Sequence, residues 1–394
     1  MTPSLKKNKA MRISEFIHEL SRWNLAATAL FSLLAGCATG PTPKGPSNFV
    51  FYPSPPDAPR LQFLTSFSGE KDLGGGASKF AAFVTGASPP QRVISKPYGM
   101  ALSRGQLYVC DTSQGAIAIL DLAKRKFSYL DPKGEGQLRT PINITVDQDG
   151  IRYVADRGHN QVLIFGPDDT YQGAIGEKST NLLTTAEGAT ANPASLAGEQ
   201  KGLRPTDVAV IGNRIYVTDL NQNCVRVYSK ANRDLLFKIP LEAKDEAAKL
   251  FAPTNLAIDS HQCLYVSDFA GFCVKKYDAD GKYLQTFGRV GDRPGEFARP
   301  KGVAVDREDR VYVVDAAAQV IQVFDADGRL LLFFGEPNGS AVALDLPAKV
   351  IIDYDHVGLF QQYAAPGFQL EYLVLASNQF GDRKVNVYGF GHKK

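Results

Sequence analysis

Five short phrases end on an aspartate: LYVCD at Asp111, RYVAD at Asp156, IYVTD at Asp219, LYVSD at Asp268 and VYVVD at Asp315. Carboxylates gathered in a ring can hold a divalent cation. An aspartate closing an apolar run can equally accept backbone N–H groups within its own turn. One copy per repeat, at a constant position, is what the turn role predicts. The sixth such position carries Asn378, which can make the same turn contact but is a poorer metal ligand. Asp111, Asp156, Asp219, Asp268, Asp315 and Asn378 are therefore expected as structural turn residues, and no metal or other cofactor is assigned.

A second set of residues surrounds the prolines that stand 14 or 15 residues before each aspartate: Pro97, Pro141, Pro205, Pro253 and Pro300. Lys96, Arg204 and Arg299 precede a proline, Lys301 follows one, and Arg139 lies one residue further back. Brought together from separate repeats, such cations could take a carboxylate or phosphate, arginine in bidentate fashion. The plainer alternative is a set of solvated charges paired with neighbouring acids. These five residues are the candidate ligand- or partner-binding site, and no catalytic residue is assigned.

Other reactive types are sparse. Beyond the N-terminal segment the histidines are His159, His261, His356 and His392, and the first three fall at different ends of their repeats. Asp353, Asp355 and His356 in DYDH form a single local cluster, a weak metal signal. Cys110, Cys224, Cys263 and Cys273 include no CxxC, and the strand register expected around Asp268 places Cys263 and Cys273 roughly 17 Å apart, too far for a disulfide. The chain has no GxSxG, no phosphate loop and no dinucleotide fingerprint.

The elements that must position these residues are short strands. In the fifth repeat GVAVD, VYVVD, QVIQVFD and LLLFFG alternate with period two and are separated by turn residues. Repeats begin near 96, 140, 204, 252, 299 and 346, with a spacing of about 45 residues where nothing is inserted. Four short strands cannot bury both faces alone, so the units must stack around an axis. The sixth unit lacks a fourth strand, whereas RLQFLTSFSG at residues 60–69 supplies one from the other end. The expected fold is all-β, a six-bladed β-propeller of four-stranded antiparallel blades over 60–394, its ring closed by strand 60–69. Repeated prolines and aspartates then crowd one rim, the top face. Two insertions, at 177–202 and 354–369, project from the top and the bottom. The aromatics of the second either form a docking surface or pack on their own blade.

RPKGVAVDREDRVYVVDAAAQVIQVFDADGRLLLFFG resembles NHL repeats, and the resemblance covers roughly residues 96–340. It implies the propeller fold but little about the task, because similar propellers serve as parts of ubiquitin ligases, RNA binders, amidating lyases and bacterial envelope proteins. The axial histidine set of the amidating lyases has no counterpart here.

The N-terminus reads as a targeting segment. A basic stretch leads into WNLAATALFSLL and ends in LAGC, which resembles the lipobox of bacterial lipoproteins with Cys37 as the lipidated residue. Residues 1–36 are thus expected as a signal peptide and 37–59 as a Pro-rich tether. By the same resemblance Ala38 after Cys37 favours the outer membrane. The segment 1–36 also accounts for the entire net charge of +3. A neutral body gives no electrostatic case for nucleic acid.

These features together lead to one expectation: an exported, membrane-anchored lipoprotein whose propeller is a binding scaffold for an envelope protein or saccharide. It touches the membrane through its lipid only and works as a monomeric propeller within a larger complex. The alternative is an extracytoplasmic propeller enzyme of lyase or lactone hydrolase type with a divalent cation at the axial pore.

Overall fold

A computed structural model describes residues 49–74, 91–176, 202–241, 245–335 and 342–393. The signal segment 1–36, Cys37, the tether as far as residue 48 and the top-face insertion 177–201 lie outside the described residues.

Each repeat folds as one antiparallel sheet whose strands follow the order of the chain, giving five four-stranded blades. In blade 5 these are Pro300–Val305, Val311–Asp315, Val320–Phe324 and Leu330–Phe334. The sixth blade is assembled from both ends of the chain. Pro347–Asp353, Phe368–Asn378 and Val385–Lys393 are joined by Leu61–Phe67, with Leu61 opposite Phe390 and Phe67 opposite Val385. A short fifth strand, Phe51–Tyr52, pairs outside it. The fold therefore begins inside the segment read as tether. Tyr52 is buried against Phe334 and Tyr388, which gives these residues a reason to leave water.

The repeated Tyr-Val phrase has a packing explanation. Successive side chains of a strand face opposite sides. Tyr108, Tyr153, Tyr216, Tyr265 and Tyr312 each pack into the core shared with the following blade. Val109, Val154, Val217, Val266 and Val313 pack into the core shared with the preceding one. One dipeptide thus seals two interfaces. All ten side chains are nearly inaccessible, and each contributes about 2 kcal/mol of apolar burial.

The first strand of every blade lines the axis: Pro97–Ser103, Pro141–Val146, Pro205–Ile211, Pro253–Ile258, Pro300–Val305 and Pro347–Asp353. They contact one another in sequence, and the last contacts the first. In every blade the pairing register shifts immediately after the proline. Such bulges re-aim side chains, and here they fall on the residues at the top of the axis.

The bottom insertion forms a short helix, Val357–Phe360, and a single 3-10 turn, Gln361–Tyr363. Most of its aromatics pack inward. Phe360, Phe368 and Tyr372 are buried, Tyr372 stacks on Phe390 at 4.6 Å, and Tyr354 lies 4.9 Å from Tyr372. Tyr363 stays exposed.

Candidate functional site

The five repeat aspartates are buried and surrounded by backbone amides. Asp315 accepts from Ala298 and Arg299 at 2.8 and 3.1 Å and from Ala317 and Ala318 at 3.0 and 3.2 Å. Asp111 takes Ser95, Lys96, Ser113 and Gln114; Asp156 takes Arg139, Thr140, Gly158 and His159. Asp268 takes Phe251, Ala252 and Gly271, and Asp219 takes Arg204, Asn221 and the Arg226 guanidinium. Asn378 instead donates to the Arg383 carbonyl at 3.0 Å. Each carboxylate ties the segment entering an inner strand to the turn beside it. That contact fixes the backbone of Lys96, Arg139, Arg204 and Arg299, so the turn residues position the cations.

Below that level the axial residues form three tiers. Immediately before the prolines stand Lys96, Thr140, Arg204, Ala252, Arg299 and Leu346; immediately after them stand Tyr98, Ile142, Thr206, Thr254, Lys301 and Ala348. One step further down are Gly99, Asn143, Asp207, Asn255, Gly302 and Lys349. The upper two tiers contain four cations and no acid.

Lys301 is the unusual member. It is only 6% exposed, yet among the described residues it makes no hydrogen bond or ion pair. Its ammonium lies 5.0 Å from the centre of the Tyr98 ring, contributed by blade 1. Burial, together with the charges of Arg299 and Lys96, lowers its pKa to about 8. The Tyr98 hydroxyl is likewise without a hydrogen-bond partner among the described residues, and burial with the nearby Asp207 carboxylate pushes its pKa up to about 12. Lys96 and Arg299 are exposed and sit 5.5 Å over Phe380 and 5.7 Å over Phe269. Lys96, Arg299 and Lys301 thus share one side of the mouth. Arg139 and Arg204 are exposed, without a side-chain ion pair among the described residues.

The third tier closes the axis. Lys349 of blade 6 reaches Asp207 of the opposite blade 3 at 2.5 Å, both side chains buried. Asp207 also accepts from the backbone of Val208 at 2.8 Å and Leu256 at 2.9 Å. Asn143 donates to the Thr206 carbonyl at 2.8 Å, while the Oδ1 atoms of Asn143 and Asn255 are buried without partners among the described residues. Glycine is required beside this plug. A Cβ on Gly99 would stand 1.9 Å from Asn143 Oδ1, and one on Gly302 would stand 2.7 Å from the Lys349 Cα. Beneath the plug runs a cavity of about 280 Å³ lined by Met100, Ile144, Val208, Leu256, Val303 and Val350.

This donor set does not fit a divalent cation. Asp207 is its single carboxylate, and an ammonium already neutralises it. A second group, Asp259, His261 and Asp309 at the bottom, brings its ligand atoms within 4.8 Å of one another. There too Asp259 is committed, to Lys276 at 3.0 Å. His356 of the DYDH cluster is a latch between blades. It pairs with Asp353 at 2.8 Å and accepts the Gly105 amide of blade 1 at 2.7 Å. Cys110, Cys224 and Cys273 are buried free thiols, and Cys263 is half-buried.

Tyr98, Asp207, Lys349, Asn143 and Asn255 carry the mouth and its plug but are not evident from motif reading. Aligning the six prolines and reading the two residues after each would have found them.

A family model described as a 6-bladed beta-propeller matches residues 209–380. No curated protein matches the chain. Among solved structures, a gluconolactonase from Xanthomonas campestris is 15% identical, with 90% of this chain and 100% of that one aligned at a TM-score of 0.53. A protein of unknown function from Bacteroides thetaiotaomicron is 14% identical over 83% of this chain and 75% of that one, with a TM-score of 0.54. Virginiamycin B lyase from Staphylococcus aureus is 13% identical over 75% and 85%, at 0.46. At such identities the likeness concerns the fold and not the chemistry. In blade count, strand order and the stretch matched by the family model, the chain is a six-bladed β-propeller.

Proposed function

We propose that the chain is a membrane-anchored, extracytoplasmic binding module, and that the top mouth of its propeller takes an anionic group of an envelope protein or saccharide. The observation that carries the reading is Lys301. A buried ammonium with no counter-charge destabilises the fold that holds it, and Arg299 and Lys96 make the cost greater. A carboxylate or phosphate seated among the three cations would turn that cost into binding energy. The plug of Lys349 and Asp207 sets the depth, so the bound group enters from above and stops at the third tier. The anchor rests on the basic segment, apolar run and LAGC ending at Cys37. One saturated chain holds a protein only marginally, and several acyl chains hold it firmly.

The test is recovery of the intact protein from its native membrane in mild detergent, followed by identification of what accompanies it. A companion present at a fixed ratio, and lost when Arg299→Gln and Lys301→Met are combined, is the expected result. Recovery of the propeller alone, or a companion indifferent to those substitutions, contradicts the binding reading. Cys37→Ala should move the protein out of the membrane fraction; a protein that stays there contradicts the anchor.

A further inference from the structure

We infer that Lys301 is a nucleophilic amine that captures the carbonyl group of a carboxylate-bearing carbonyl compound, of which a 2-oxo acid is the simplest, as an imine. The inference rests on the anion-binding reading of the mouth, since the carboxylate is what brings the carbonyl to the amine. Three features of the geometry support it. The amine is buried beside the Tyr98 ring at 5.0 Å, and no carboxylate among the described residues pairs with it. Its charged neighbours, Arg299 and Lys96, are both cations, the setting in which a lysine gives up its proton and becomes a nucleophile. The same two cations are placed to receive a carboxylate, so one small molecule satisfies both halves of the site. Below it the Lys349–Asp207 pair blocks the axis and limits the ligand to a compact end group.

The reaction balances without an oxidant or a metal. The unprotonated amine adds through its lone pair to the carbonyl carbon, the carbonyl oxygen takes up a proton, and the nitrogen loses one. The resulting hydroxyl takes up a second proton and leaves as water, the nitrogen lone pair forms the carbon–nitrogen double bond, and the nitrogen releases its second proton, so the two protons lost by the nitrogen equal the two carried off in the water. The Tyr98 hydroxyl, protonated at neutral pH and without a hydrogen-bond partner among the described residues, belongs to the ring 5.0 Å from the amine and is assigned to lend and recover the proton.

The experiment uses the full-length protein in detergent, with pyruvate as the probe and borohydride to reduce any imine. The expected result is a single added mass of one reduced pyruvate, mapped by peptide sequencing to Lys301. It should be roughly tenfold weaker with pyruvamide, which keeps the carbonyl but lacks the charge. Lys301→Arg should give no adduct at this site, and Tyr98→Phe should slow its formation. Adducts spread over surface lysines, or none at Lys301, overturn the inference. If the substitutions fail to fold, mapping of the wild-type adduct alone still decides. Anion binding without an adduct would overturn the imine and leave the binding module standing; neither binding nor adduct would remove both.

Discussion

At the scale of single residues, Lys301 makes opposite demands on stability and on binding. Its pKa in the fold is about 8, below the 10.4 or so of an unfolded lysine. Between those values the unfolded chain holds a proton that the folded chain does not, so stability rises with pH across that window. Below it the protonated amine, unpaired among the described residues, costs the most. Lys301→Met should therefore stabilise the protein by about 1–3 kcal/mol at pH 7, the gain shrinking towards zero as pH approaches 10. Urea unfolding at several pH values measures this. Anion binding should run the other way, weakening as pH rises through about 8 and the ammonium is lost. The axial ion pair makes a contrasting case. Asp207→Ala or Lys349→Ala alone strands a buried charge and should cost about 3–5 kcal/mol. Replacing both with apolar residues should cost much less, which a double-mutant cycle would show. No sequence pattern points to that pair, because its partners are 142 residues apart on opposite blades.

At the scale of elements, the link between turn and site is the aspartate that ends each second strand. Asp315→Ala leaves four backbone amides short of an acceptor, among them the amide of Arg299. It should cost roughly 3 kcal/mol in unfolding experiments and also weaken binding, whereas Asp325→Ala, on an outer turn where water can replace its contacts to the Asp327 and Arg329 amides, should cost clearly less and leave binding unchanged. This layer of the molecule was legible in the sequence. Period-two alternation, a proline at the start and an aspartate at the end mark the inner two strands of five blades without ambiguity. The cation positions beside the prolines follow from the same alignment, and three of the five, Lys96, Arg299 and Lys301, share one side of the mouth. What escaped reading was the bulge after each proline, which turns the next residues towards the axis. Tyr98 and Asn143 look like ordinary strand residues until that local shift is known.

At the scale of the whole molecule, the ring closes through Leu61–Phe67 pairing with Val385–Lys393, and the sequence showed this because one blade lacked a strand at one end and had a spare at the other. The extra pairing of Phe51–Tyr52 was not legible, since two residues in a Pro-rich stretch carry no periodicity. Removing residues 49–69 should expose the edge of Val385–Lys393 and unseat Leu61 and Phe67 from the core. Loss of a single cooperative transition and association on size-exclusion chromatography are the expected outcomes. Closure matters to the site because Tyr98 and Lys301 stand on either side of blade 6, and only a closed ring keeps them 5.0 Å apart.

The decisive comparison is between the wild-type protein and Lys301→Met, reading unfolding free energy at pH 7 and retention of the membrane companion on the same preparations. The expected result is a variant that is more stable and yet loses its companion, showing that the fold keeps Lys301 for binding. A variant that is less stable, or that keeps its companion in full, would contradict it.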